Sequence, residues 1–235
     1  MSQQRHRAPT RRLAPLLRTG LLTTAAAVLV AGTPVVASAA PGTARTGSAV
    51  RVDTASAIST ASPIRPHDFQ VAFEVRQYGD LVGAGADNRA LASSRFCDGN
   101  LHCSSTALSF QIITMGGDHS RLHTTNVSKA SNNHCTGCQT LAGAYQFVLD
   151  TPEPITLGPD ALRRLRDVET ALRAARNQSP QTLKATVDGL VQQVITILDE
   201  AAAAQPASPG LKAAAAPARP KVTLNRTLDG WPGAN

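Results

Sequence analysis

Four cysteines and the histidines beside them are the residues of this chain best placed to do chemistry: Cys97-x5-Cys103 carries His102, and Cys135-x2-Cys138 carries His134. Oxidation would join the cysteines as two disulfides. Deprotonation would make them thiolate ligands for zinc, for which the two-residue gap between Cys135 and Cys138 is a common spacing. A thiolate at a helix start could instead exchange disulfides. The five-residue gap is wide for a zinc knuckle, and a strand pattern rather than a helix follows Cys138, so disulfides are preferred and neither a metal ligand nor a redox cysteine is assigned. Three pairings exist for four cysteines. Pairing within each motif closes small rings worth roughly 2 to 2.5 kcal/mol each in chain entropy, whereas pairing across the motifs is worth roughly 4 kcal/mol each. Magnitude favours the cross pairing. The internal repeat favours pairing within each motif, which is the preferred reading, and the spacing alone leaves both open.

Other chemistry is poorly supported. His119-Ser-Arg-Leu-His123 lacks the glutamate that activates water in a zinc-protease helix, and it follows Gly116-Gly117 in a turn-like context. No serine sits in a nucleophile elbow, no glycine-rich loop suits a phosphate, and the carboxylates form no evident acid–base pair. The sequence therefore assigns no catalytic residue and no cofactor.

The elements that must position the cysteines form a degenerate duplication. Asn88, Ala92, Ser93 and Cys97 recur 38 residues later as Asn126, Ala130, Ser131 and Cys135, while Cys103, Ala107, Phe110 and Gln111 recur 35 later as Cys138, Ala142, Tyr145 and Gln146. The three extra residues of the first copy lie between its cysteines and leave the flanks aligned. Phe69, Val71, Phe73 and Val75 alternate with polar or small residues, as do Leu108, Phe110 and Ile112, and Leu141, Tyr145 and Phe147. This is the two-residue period of half-buried strands. Aligning Phe73 with Phe110 and Tyr145 makes the first strand a third relative, with Glu74 where the others carry Gln111 and Gln146. Turn residues in 79–85 and 115–120, with return strands around 88–93 and 122–131, predict a small antiparallel meander of about five strands with the cysteine loops at one end.

Composition changes after residue 150. Pro159 and Asp160 suit a helix start, and Leu162, Leu165, Val168 and Leu172 follow at helical spacing. Ser179-Pro180 opens a second helix with a wider stripe, Leu183, Val187, Leu190, Val191, Val194 and Leu198, which predicts an αα-hairpin over 156–204. The fold class is thus read as α+β, with the duplicated β domain at 67–150 and the helical hairpin behind it.

Residues 1–39 have the layout of an export signal: five arginines, an apolar stretch from Leu21 to Ala31, and Ala37-Ser38-Ala39 before the cut. Arg11-Arg12 fits a twin-arginine route less well than general secretion. An uncleaved anchor is the competing reading, disfavoured by Pro34 and the small residues. Losing this segment removes five of 23 Lys plus Arg and none of 16 Asp plus Glu, so the net charge falls from +7 to +2. The high whole-chain basicity is then no argument for nucleic-acid binding. Residues 40–66 and 205–235 are rich in Ala, Ser, Thr, Gly and Pro and read as a disordered lead and tail, with docking of Trp231 as the alternative for the tail.

The stretches 103–113 and 135–149, followed by the Pro159 helix, resemble a group of uncharacterised exported actinobacterial proteins with Cys-x-x-Cys repeats, each followed by an alanine and an aromatic-Gln step. These are often labelled peptide zinc metalloproteases. The likeness spans about 69–200 and departs at the longer Cys97–Cys103 loop. The protease label finds no zinc helix or set of membrane spans here. The resemblance and the residues together imply a secreted, disulfide-linked bacterial protein acting by binding or assembly. Its partner would be an unknown cell-envelope or extracellular protein, or a second copy of the chain, with no stable membrane span after signal cleavage. A metal-binding accessory to a membrane protease is the alternative, and an extracellular hydrolase the third.

Overall fold

A computed structural model describes residues 51–80, 83–116, 121–151, 153–204 and 220–233. The strands are β1 (Arg51–Ala61), β2 (His67–Asp80), β3 (Gly83–Arg95), β4 (Ser104–Gly116), β5 (Arg121–Asn133), β6 (Gln139–Thr151) and β7 (Lys221–Asp229), with helices α1 (Pro159–Ala174) and α2 (Pro180–Ala203) between β6 and β7. The first six strands alternate between two sheets, a small one ordered β1-β3-β5 and a large one ordered β2-β4-β6, which β7 extends at its end. Every pairing among β1 to β6 is parallel, and only β7 runs antiparallel to its neighbour β6. Each consecutive pair, β1 with β2, β3 with β4 and β5 with β6, is one strand from each sheet joined by an arch. Three such coils stack as a two-sided β-solenoid.

The five-stranded antiparallel meander is therefore overturned: there are seven strands in two mostly parallel sheets. Period-two alternation records which face a side chain takes but carries no strand direction. The strands flanking each predicted turn, β2 and β3 and then β4 and β5, lie in different sheets and so form no hairpin, a distinction the residue content of a turn does not record. What sets parallel pairing is the repeat itself. Asn88 lies opposite Asn126, and Phe110 and Gln111 lie opposite Tyr145 and Gln146, so the 38- and 35-residue offsets are the ladder registers. Phe73 and Glu74 pair with Phe110 and Gln111 in the same way.

In-register stacking lets like side chains satisfy each other. Asn88 Nδ2 donates to Asn126 Oδ1 at 2.8 Å, and Gln146 Nε2 donates to Gln111 Oε1 at 2.8 Å. Phe73, Phe110 and Tyr145 stack with ring centroids 5.9 and 4.6 Å apart. The layer between the sheets is lined by Ala57, Ala90, Ala92, Ala107, Ala142 and Ala144, whose small volume lets the two backbones approach. The other face of the large sheet carries Leu108, Phe110, Ile112, Tyr145 and Phe147, packed against Leu165, Val168 and Leu172 of α1 and Val187, Val191 and Val194 of α2. The large sheet is thus buried on both faces, which fits the near-continuous burial of β4. A proline opens each helix, and at α2 the Ser179 side chain accepts a hydrogen bond from the Thr182 amide.

Two segments read as flexible from composition are ordered strands. Residues 51–61 of the lead form β1, because its small inward residues Ala55, Ala57 and Ala61 fit the thin inter-sheet layer. Residues 221–229 of the tail form β7, and Trp231 is buried behind it with Nε1 donating to the Ala142 carbonyl at 2.8 Å. The export signal, residues 40–50 of the lead and 205–219 of the tail lie outside the described residues.

Candidate functional site at the cysteine arches

The arches leading from the small sheet to the large one stack at one end of the solenoid. In the second, Cys97 bonds Cys103, and in the third, Cys135 bonds Cys138, with Cα–Cα separations of 6.1 and 5.8 Å. The within-motif pairing is the one the structure holds. The two bridges are neighbours: Sγ atoms of Cys97, Cys135 and Cys138 all lie within 4.8 Å of one another. Cys97 and Cys103 are buried beside Ala61 of the first coil, while Cys135 and Cys138 are half-buried.

Main-chain bonds hold the arches together independently of sulfur. The Phe96 amide donates to Asn133 O, the Thr136 amide to Cys97 O, and the Gln139 amide to Cys103 O, at 3.0, 3.1 and 2.9 Å. The residue before the first cysteine of each motif takes the left-handed conformation, Phe96 with φ of 57° and His134 with φ of 49°, and their rings stack at 5.7 Å. Bulky residues rarely adopt this region, so stacking must compensate for the local strain. Gly137, at φ of 74°, supplies the same backbone sign at no steric cost inside the tight Cys135–Cys138 turn. The longer loop is shaped by Asp98, whose carboxylate accepts from the Asn100 and Leu101 amides. His102 lies over the neighbouring arch, its Nδ1 3.9 Å from where a Cβ on Gly137 would sit.

The remaining predicted candidates separate. His123 is exposed at the start of β5, at the other end of that strand from Cys135, and His119 lies outside the described residues. With strand conformation from Arg121 onward, the segment offers no metalloprotease helix.

Next to the arches, between the large sheet and the C-terminal end of α1, runs an open groove of about 530 Å³. Arg65, His67, Arg173 and Arg176 line it together with Asp68, Gln139 and Gln178. Asp68 is buried and already engaged: its carboxylate meets Arg65 at 2.7 Å, the Thr60 amide at 2.7 Å and Gln70 Nε2 at 2.8 Å. Arg173 pairs with Glu169 at 2.8 Å. Arg176 has no ion pair among the described residues, so the groove carries surplus positive charge. Sequence reasoning missed this site because its cations come from an arch and from the end of α1 with the 3-10 turn Ala175–Asn177 after it, more than 100 positions apart in the chain.

A second polar cluster lies between the sheets in the first coil. Tyr78 donates to Asp53, and Arg76 lies 3.4 Å from Asp53 and 2.9 Å from Glu74. Burial first, then the hydrogen bond to Asp53, pushes the Tyr78 hydroxyl well above its ordinary pKa. The later coils carry amides and alkyl groups at the matching positions, Gln111 opposite Glu74 and Ile113 opposite Arg76. This cluster is a terminal coil's edge rather than an assembled acid–base site, since its groups are engaged with one another. Among the described residues, no helix is long and apolar enough to cross a membrane. Comparison of the chain with protein-family models, with curated proteins and with solved structures finds no match.

Proposed function

We propose that this chain is an exported binding or assembly protein, in which a disulfide-linked β-solenoid and a helical hairpin hold an anionic extracellular ligand in the groove between them. The observation that carries the reading is the groove's charge: of its three arginines, Arg65 and Arg173 are paired with Asp68 and Glu169, and Arg176 has no ion pair among the described residues. Guanidinium groups suit carboxylate or phosphate oxygens in a half-wet site. Gln139 and Gln178 add neutral donors and acceptors that could fix orientation. Both walls are rigid for identifiable reasons, the sheet through its stacked ladders and α1 through burial of Leu165, Val168 and Leu172. The disulfides and the likeness to exported cysteine-repeat proteins support an extracytoplasmic location.

A photo-crosslinking residue at Gln178, on the groove, compared with one at Ile58, exposed on the outer face of the small sheet, tests this in native cell envelopes. Adducts are expected at position 178. They should fall at least about tenfold in an Arg173→Ala/Arg176→Ala background, the loss that one charge-assisted hydrogen bond of about 1.5 kcal/mol would cause. Adducts at position 58 alone, or adducts indifferent to the two arginines, would reject the groove as the binding surface.

A further inference from the structure

We infer that the four cysteines form a two-state site: two disulfides when oxidised, and a tetrathiolate that takes one zinc ion when reduced. The inference is independent of the groove. It starts from sulfur positions, since three Sγ atoms from two arches lie within 4.8 Å of one another and the fourth, on Cys103, is bonded to one of the three. A tetrahedral zinc with Zn–S bonds of about 2.3 Å places its sulfurs roughly 3.8 Å apart. Bonded sulfurs would separate and non-bonded ones approach by side-chain rotation, the Cys103 sulfur, more than 4.8 Å from at least one of the other three, moving farthest.

What makes the reduced state a site is the scaffold that survives reduction. The Phe96–Asn133, Thr136–Cys97 and Gln139–Cys103 main-chain bonds keep the arches stacked without any S–S bond. Within-motif disulfides close very short rings, with sequence separations of 6 and 3, so they remove little chain entropy and their loss need not unfold the coils. Cys135 and Cys138 also have the two-residue spacing of a zinc knuckle around Gly137. Half-exposure of this pair gives a metal ion a way in, while buried Cys97, Cys103 and Ala61 provide a dry floor. A dithiol reductant supplies the electrons: two molecules transfer two electrons each, become disulfides themselves and leave four protein thiols. Zinc then displaces four protons as it binds.

The test uses the full chain reduced with a trialkylphosphine under anaerobic conditions, with Co(II) as the spectroscopic probe. One Co(II) per chain is expected, giving the absorption of a tetrahedral thiolate complex and displaced by equimolar Zn(II), while the oxidised chain gives no such band. Cys97→Ser and Cys135→Ser should each weaken binding at least about 100-fold, and His102→Ala should leave it within a factor of about two. Circular dichroism on the same samples distinguishes an intact scaffold from a melted one. A reduced chain that keeps its strand signal but gives no thiolate–Co(II) band overturns the inference, as does loss of strand signal that zinc does not restore. Binding unaltered by Cys135→Ser overturns it too.

Discussion

Each of the chain's two tyrosines sits in a different layer, Tyr78 between the sheets beside Ala84 and Ala86, and Tyr145 against the helices. Burial is the first cause that raises both pKa values above the ordinary one near 10, followed by the Asp53 hydrogen bond at Tyr78 and the Asp188 charge at Tyr145. Folding favours the protonated phenol, so the contribution is fully present below the unfolded pKa and is lost as pH rises from about 10 toward the higher folded values. Stability therefore falls as pH climbs above about 10, with each tyrosine contributing to the loss. An alkaline titration followed by tyrosinate absorbance should show no step near pH 10 while the fold persists, then a single rise coincident with loss of the strand signal. A separate step near pH 10 in the folded protein would show that at least one phenol is solvated.

At the scale of elements, β7 does the work of a cap. It pairs along β6 and reaches β5 through side chains, with the Asp229 carboxylate accepting from the Ala130 amide and Asn126 Nδ2 donating to Asn225 O. The turn after it depends on Gly230, which has φ of 76° and whose added Cβ would lie 2.0 Å from Thr140 O. Gly230→Ala should therefore detach Trp231 and the end of β7 while leaving the helices in place. Red-shifted tryptophan emission and faster proteolysis after Lys221, at unchanged helical dichroism, are the expected outcome; unshifted emission would mean that the turn adapts. This element was hard to see in the sequence, as was β1. In Lys221–Asp229 the alternation of Val222, Leu224 and Leu228 is broken by Arg226, and Arg51–Ala61 places alanines inward because it faces an alanine layer. The cysteine-linked strands were legible because Asn88, Phe110 and Gln111 must meet their own copies, which preserved the offsets. Strand direction was not, since an offset fixes register only once parallel stacking is known. The amphipathic stripe from Leu165 to Leu172 was readable because helix burial follows a fixed period. The groove was not: Arg65 and Arg176 carry no common pattern, and only tertiary packing brings them together.

As a whole molecule, the solenoid has unlike ends. At the third coil β7 pairs with β6 and reaches the edge of β5 only through side chains, whereas at the first coil, among the described residues, β1 and β2 each have one hydrogen-bonded neighbour and nothing lies across their edges. Open edges of stacked coils invite further stacking, and charges pointing inward are one means of preventing it. The first coil has them where its neighbour does not: Asp53 aligns with Ala86, Glu74 with Gln111 and Arg76 with Ile113. In isolation Arg76 bridges the two carboxylates and leaves a net charge of −1 that water solvates, but a second copy stacked on this edge would strip that water and face the charges with a like set. That desolvation outweighs the modest Coulomb gain of rearranged pairs. The triple variant Asp53→Ala/Glu74→Gln/Arg76→Ile writes the second coil's residues onto the first and so removes the barrier while extending the amide ladder by one step. Sedimentation velocity over a concentration series should find the parent chain monomeric and the variant assembling, with single Glu74→Gln intermediate because Arg76 still pairs with Asp53. Retained monomers in a folded triple variant would show that something other than these charges guards the edge, and would direct attention to the residues preceding Arg51.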